Sequence, residues 1–257
     1  MQQLSCRSPC VAQTRSLHAQ WVHDKISDEV IGFGTLGCHN CTKYGCVPPK
    51  ALHTVGRSQY YIVRSDDLFE TWSTPVEVTD QPGLRSLLLF SAGPARGVQT
   101  SSGRLVFTGY PQDGPGTTSI YSDDRESATN AYEDRRFAQP DPDVCPRADG
   151  HTWSAGGSVT TYGPSESAPV MLENNSIMLT MRTSRCCRLQ ARSDDNGESW
   201  VDARLTPTLH PGGLTAGITR MGKRLFVSNS WGSIRWCVQL LVAETPLADC
   251  TARLAAT

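Results

Sequence analysis

An eight-residue pattern recurs along this chain at a spacing that few architectures produce. Its fullest copy is Ser193-Asp194-Asp195-Asn196-Gly197-Glu198-Ser199-Trp200, with a hydroxyl, a carboxylate, a glycine and an indole at offsets 0, 2, 4 and 7. Serine and aspartate side chains bond nearby backbone amides, glycine takes positive φ, and the tryptophan folds back over the loop. The octet therefore predicts a hairpin turn closed by its own side chains. Ser65-Asp66-Asp67-Leu68-Phe69-Glu70-Thr71-Trp72 repeats it, with Phe69 in the glycine position. A third copy starts at Ser122-Asp123-Asp124 and resumes at Gly150-His151-Thr152-Trp153. There, 26 positions separate aspartate from glycine in place of 2, an excess of 24. The turn residues that open strands give an independent measure. Asn175 to Gly222 is 47 residues, as is Trp153 to Trp200, and the 72 from Gly103 to Asn175 become 48 once the 24 are removed. Residues 125–149 therefore read as an insertion. They are charged, proline-bearing and aperiodic, and are expected to form a loosely attached surface loop.

A repeat near 47 residues made only of short strands points to the blades of a β-propeller. Candidate strands are 59–65, 104–110, 118–122, 176–183, 188–193, 223–228 and 236–243, rich in branched and aromatic residues with Gly, Pro, Asn or Asp between them. No long amphipathic helix pattern is present. The competing architecture is a β-sandwich in which the Ser-X-Asp turns coincide by chance. The expected organisation is a divergent N-terminal segment, 1–58, holding a remnant of a first blade, followed by blades over 59–257 interrupted at 125–149. About four to five blades are expected.

With 257 residues, 38% apolar and 19% charged, the chain can bury a sizeable core. A net charge of −1 gives no electrostatic argument for nucleic acid or anionic lipid. No apolar run reaches the length of a transmembrane segment, and the opening MQQLSCRSPC lacks a secretory pattern. Ten cysteines are present. Cys38, Cys41 and Cys46 with His39 resemble half a zinc site, but no second pair stands at ligand spacing. Disulfides or buried thiols explain the count better, so no metal is assigned. Asn40-Cys41-Thr42 and Asn174-Asn175-Ser176 match the glycosylation acceptor pattern, which is common by chance.

The octets resemble Asp-boxes, the hairpin turns of sialidases and other propellers, whose carboxylates are structural. Asp194 and Asp195 are accordingly not read as a glycosidase acid pair. Two longer stretches narrow the resemblance to exo-α-sialidases. GPARGVQTSSGRLVFTGY, residues 93–110, is similar to the family segment GPGxGIQLxxGRLVVPxY. ESAPVMLENNSIMLTMR, residues 166–182, is similar to ExQxVELxDGxLxxNxR. The likeness runs over about 60–243 and implies a propeller of six blades, incomplete here.

The second stretch also makes sense by itself. Glu166 and Arg182 are nearly symmetric about a tight turn at Asn174-Asn175, so a hairpin brings carboxylate and guanidinium together at one rim. A structural cross-strand ion pair would look the same. Sialidases hold the sugar carboxylate with three arginines, whose planar forks match it. The resemblance implies that Arg182 is the second and Arg235, in SNSWGSIRWCVQLLVAE, the best candidate for the third, against an ordinary loop arginine. Arg15, in RSLHAQWV, is the best remnant of the first, one residue out of register and without the family's proline.

In this family a tyrosine is the nucleophile, a glutamate activates it and an aspartate is the acid/base. Glu166 matches the glutamate. No aspartate lies between Cys38 and Tyr61, Asp24 and Asp28 fit poorly, and the sequence ends 22 residues after Arg235, short of the expected tyrosine. The resemblance thus implies a sialidase acting on sialylated glycoproteins, glycolipids or oligosaccharides, without a cofactor, and with part of its catalytic set missing from these residues. The alternatives are a non-catalytic glycan-binding propeller and a structural one. Lysosomal, cytoplasmic, membrane-associated and secreted members exist, so the resemblance sets no compartment.

Overall fold

The computed structural model describes residues 15–25, 28–38, 58–87, 89–111, 115–123, 151–209, 216–230, 238–244 and 253–254. Their strands form four antiparallel sheets in chain order. The first is β1 (Arg15–Asp24), β2 (Glu29–Cys38), β3 (Gln59–Ser65) and β4 (Val76–Glu77). The second contains β5 (Phe90–Ala92), β6 (Val98–Gln99), β7 (Leu105–Pro111), β8 (Thr117–Ser122) and β9 (Ser154–Val159), ordered β5-β7-β8-β9 with β6 also on β7. The third is β10 (Ser167–Met171), β11 (Ile177–Met181), β12 (Arg188–Ser193) and β13 (Val201–Thr206). The fourth is β14 (Gly217–Met221), β15 (Arg224–Ser230), β16 (Val238–Glu244) and β17 (Arg253–Leu254).

This is a row of propeller blades, and among the described residues the sheets do not close into a ring. The same residues contain no α-helix, so none is long and apolar enough to cross a membrane. The strands at 59–65 and 188–193 have the bounds expected from composition, and the others shift by a residue or two. β1 and β2 lie within 1–58, β1 pairing with β2 and β2 with β3, so the first sheet runs across position 58. The insertion at 125–149, the cysteines Cys41 and Cys46, His39, Asn40 and Arg235 lie outside the described residues.

The two octets that lie wholly within the described residues, 65–72 and 193–200, close as their chemistry requires. In the first, Asp67 Oδ1 accepts from Ser65 Oγ and from Thr71 N, each at 2.8 Å, and Ser65 Oγ accepts from Phe69 N at 2.9 Å. In the last, Asp195 Oδ1 accepts from Ser193 Oγ and Ser199 N, and Ser193 Oγ accepts from Gly197 N, all at 2.8 Å. Phe69 and Gly197 occupy the same station with φ of 77° and 92°. Phenylalanine is strained there, but its ring packs edge-on against Trp21 at 5.2 Å and Trp72 at 5.7 Å. Gly197 has no such room: a Cβ would stand 3.2 Å from Val106 of the neighbouring sheet.

Those hydrogen bonds hold Asp67 well below the usual carboxylate range, at about 2, the Thr71 hydroxyl contributing most. A depressed folded-state pKa contributes stability that is complete above the unfolded value and is lost as pH falls through the folded one. The first octet is therefore expected to loosen from below pH 4 toward pH 2. A carboxyl NMR titration should give Asp67 a midpoint near 2 in the folded chain, and a midpoint near the unfolded value of 3.8 would contradict the closed turn.

Packing between sheets forms the core. Phe33, Tyr60, Phe90, Phe107 and Trp153 fill the space between the first and second sheets, with Val22, Ile31, Leu105 and Ile120 around them. A second cluster, including Val170, Met178, Ile218, Leu225 and Val227, joins the third sheet to the fourth. Between the second and third sheets the last octet presses onto β9. Gly157 N donates to Gly197 O at 3.2 Å, Ser119 Oγ donates to the same carbonyl at 2.5 Å, and Trp200 Nε1 donates to Ser119 Oγ at 3.2 Å. Side chains on Gly156 or Gly157 would strike the Gly197 and Glu198 carbonyls, which accounts for a glycine pair in mid-strand.

Candidate functional site

The hairpin β10–β11 places two of the expected site residues opposite each other. Its turn runs from Leu172 to Ser176: Asn175 N donates to Leu172 O at 3.2 Å, Asn175 has φ of 64°, and Asn174 Oδ1 accepts from Ser176 Oγ at 2.7 Å. From this turn the register passes through Met171↔Ile177 to Ser167↔Met181. It continues one pair further, where Arg182 N donates to Glu166 O at 2.8 Å and Ser165 N donates to Arg182 O at 2.9 Å. Glu166 and Arg182 are thus direct cross-strand partners. Arg182 Nη1 donates to Glu166 Oε2 at 2.9 Å, with side chains 35% and 24% exposed, open enough for a ligand to reach. A charge-assisted bond of this length fixes the guanidinium plane.

The pair sits at the sheet end opposite the octets. β11 pairs Ile177 with Ser193, where the last octet starts, and Met181 with Leu189 at the far end. Asp194 and Asp195 are therefore a strand length away from Glu166. Arg15 occupies the corresponding end of the first sheet: it pairs with Cys38, whereas Val30 pairs with Ser65 at the octet end. Among the described residues no group of three or more His, Cys, Asp or Glu is arranged to hold a metal ion.

Two further residues belong to this rim, and neither is singled out by sequence reasoning. Tyr110 is beside Ser91 in the β5–β7 pairing. Burial pushes its phenol up and the Ser91 hydroxyl pulls it down. Glu166 raises it and Arg182 lowers it, so the phenol is within electrostatic reach of the pair. Arg188, opening β12, is fully buried, and its Nε donates to Thr180 Oγ1 at 3.0 Å. Burial lowers its pKa to about 10, with Glu166 opposing that shift and Arg182 adding to it. Arg188 is still cationic at neutral pH, so Glu166 faces positive charge from two residues. Tyr110 closes the 93–110 stretch and could have been marked as an aromatic with a polar tip at a strand end. A buried arginine leaves no such sequence signal.

The comparisons with known proteins agree with the blade architecture. A family model described as a BNR repeat-like domain matches residues 46–245. Among solved structures, a Hadza microbial sialidase, Hz136, aligns at 19% identity and a TM-score of 0.61, over 90% of this chain and 43% of that one. The NanB sialidase of Streptococcus pneumoniae aligns at 14% identity and 0.66, over 95% and 49%. The intramolecular trans-sialidase of Ruminococcus gnavus, in complex with oseltamivir carboxylate, aligns at 13% identity and 0.64, over 90% and 64%. Such identities establish the shared fold, an incomplete sialidase-type propeller. The chain spans less than two thirds of the length of each of these structures. A comparison with curated proteins finds no match.

Proposed function

The chain belongs to the BNR repeat-like domain family, and on that footing we propose that it is a sialidase-like glycoside hydrolase unit that recognises terminal sialic acid. The observation that carries this reading is the Glu166–Arg182 pair, in direct register at the open rim. A guanidinium has donors to spare after bonding one carboxylate, so Arg182 can hold Glu166 and a sugar carboxylate together. The Glu166 carboxylate, fixed by that bond, is suited to accept a proton from a neighbouring hydroxyl. Tyr110, half-buried and backed by the buried Ser91 hydroxyl, offers its phenol to an uncharged part of the sugar. Arg15 and Arg235 are proposed as further carboxylate ligands by their sequence positions. The proposed substrates are sialylated glycoproteins, glycolipids or oligosaccharides. Among the solved structures of this fold, the Trypanosoma rangeli sialidase is in complex with 2,3-difluorosialic acid as a covalent intermediate.

Ligand-observed NMR titration with free sialic acid tests the reading. The intact chain should bind it, and Arg182→Met should weaken binding about 10- to 100-fold by removing a charge-assisted fork. Neutral galactose serves as the control and should not bind. Binding that survives Arg182→Met would remove the basis for the assignment. Turnover of a fluorogenic sialoside, abolished by Glu166→Gln, would identify hydrolysis. Binding without turnover would favour the non-catalytic glycan-binding propeller.

A further inference from the structure

The loop 183–187, which joins β11 to β12, holds two adjacent cysteines. Cys186 is exposed and Cys187 is 1% exposed, both are free thiols, and their sulfurs stand 2.9 Å apart. The loop is pinned by Thr183, whose Oγ1 donates to Cys187 O at 2.7 Å and accepts from Arg185 N at 3.1 Å. Arg182 and Arg188 flank it, and these are the two arginines whose charges act on Glu166.

Neighbouring Cα atoms across a trans peptide are about 3.8 Å apart, whereas relaxed disulfides span about 4.4 to 6.8 Å. A bond between adjacent cysteines is therefore strained, and strained or exposed disulfides are the labile, reversible ones. The sulfurs are already in contact, and the exposed one gives an oxidant access. We propose that Cys186 and Cys187 form a reversible thiol–disulfide exchange site, which a small disulfide such as glutathione disulfide closes to a vicinal bond that resets the loop between Arg182 and Arg188.

The steps balance. The Cys186 thiolate attacks one sulfur of the small disulfide, forming a mixed disulfide and releasing one thiol. Cys187 then loses its proton to solvent and attacks Cys186 Sγ, expelling the second thiolate, which is protonated in turn. The chain loses two electrons and two protons, and the small disulfide becomes two thiols. Burial and the adjacent Cys186 sulfur push the Cys187 thiol up to about 11, so the second step is the slow one. Closing the gap from 2.9 Å to about 2.0 Å turns the peptide between the two cysteines, which lies inside the segment that Thr183 Oγ1 holds at Arg185 N and Cys187 O, so both of those contacts give way.

The test uses the full chain, treated with glutathione disulfide, alkylated and digested without reduction. The peptide holding Cys186 and Cys187 should be two hydrogens lighter and unalkylated, and should revert on adding glutathione. Cys187→Ala should stop at glutathione attached to Cys186. In the oxidised chain, amide exchange at Arg185 should rise about tenfold, with no change in Cys186→Ser. Alkylation of both sulfurs after treatment, a lasting mixed disulfide in the intact chain, or a link from either cysteine to a third would overturn the site. An unchanged Arg185 exchange rate with the bond formed would overturn its coupling to the loop. None of these readouts involves a sugar, so they stand apart from the sialic acid assignment.

Discussion

Trp153→Ala will destabilise the chain by about 3 to 5 kcal/mol, while Trp72→Ala, at the same station of another octet, will cost no more than about 1 kcal/mol. The hairpin chemistry of the motif is not what separates them. Trp153 is 2% exposed and lies between the first two sheets, its ring 5.3 Å from Phe107 and 5.6 Å from Phe33. Its backbone is also held by the segment that follows the first sheet, through a 2.7 Å bond from Trp153 N to Gln81 Oε1. Removing the indole leaves a cavity lined by Phe107 and by Phe33, which is itself fixed by Tyr60 and Phe90. Trp72 is 43% exposed, with Phe69 edge-on at 5.7 Å, so its loss can be filled by solvent. Urea denaturation of the two variants measures the difference. Equal costs would mean that the tryptophan serves its own turn and not the seam between sheets.

Arg104→Met should cost about 2 to 3 kcal/mol, the second largest effect expected. Arg104 joins the second sheet to the last octet. Its Nε donates to Asp123 Oδ1 at 2.7 Å, its Nη2 donates to Asp123 Oδ2 and, at 2.8 Å, to Glu198 Oε1, and its Nη1 reaches Asn196 O at 3.3 Å. The guanidinium also lies 4.0 Å above the Tyr121 ring. Burial works against the charge, but the two carboxylates outweigh it and raise the pKa. The arginine side chain is 11% exposed, while Asp123 and Glu198 are 39% and 53% exposed, so solvent screens part of the attraction. Methionine keeps the stem and removes the fork. Most of the loss then comes from Asp123 and the loop carbonyls, and Glu198→Gln should cost only about 0.5 kcal/mol. A stability within about 0.5 kcal/mol of the unchanged chain would show that this network does not clamp the sheets.

The parts of the structure that depend on contacts a few residues apart were legible in the chain. The octets at 65–72 and 193–200 are closed by bonds from a side chain to a position two or four residues on, so their offsets carry their geometry. The 47-residue step follows, since equal octets and turns imply equal sheets. The placement of Glu166 opposite Arg182 was readable for the same reason, because a short hairpin loop fixes register and the two residues count out equally from it. Arg235 and the insertion, also read from the sequence, lie outside the described residues.

Other features depend on which surface each element meets, and a sequence does not record that. β1 and β2 carry no octet and little strand-like repetition, yet Phe33 becomes the hub of the aromatic core because the second sheet packs on its face. The glycine pair of β9 is explained only by the octet that docks there, and Tyr110 comes within electrostatic reach of Glu166 and Arg182 only because its strand ends beside the β10–β11 hairpin. Arg188, which opens a strand, is buried, its charge tolerable because Thr180 and the Glu166 carboxylate lie nearby. By itself the sequence determined the turns, the all-β blade repeat and the pairing of Glu166 with Arg182, all of which are set by bonds and counts along one stretch of chain. Only the tertiary structure decided which tryptophan is core, which arginine is buried and which tyrosine joins the rim, because burial and charge are set by neighbours that are distant in sequence.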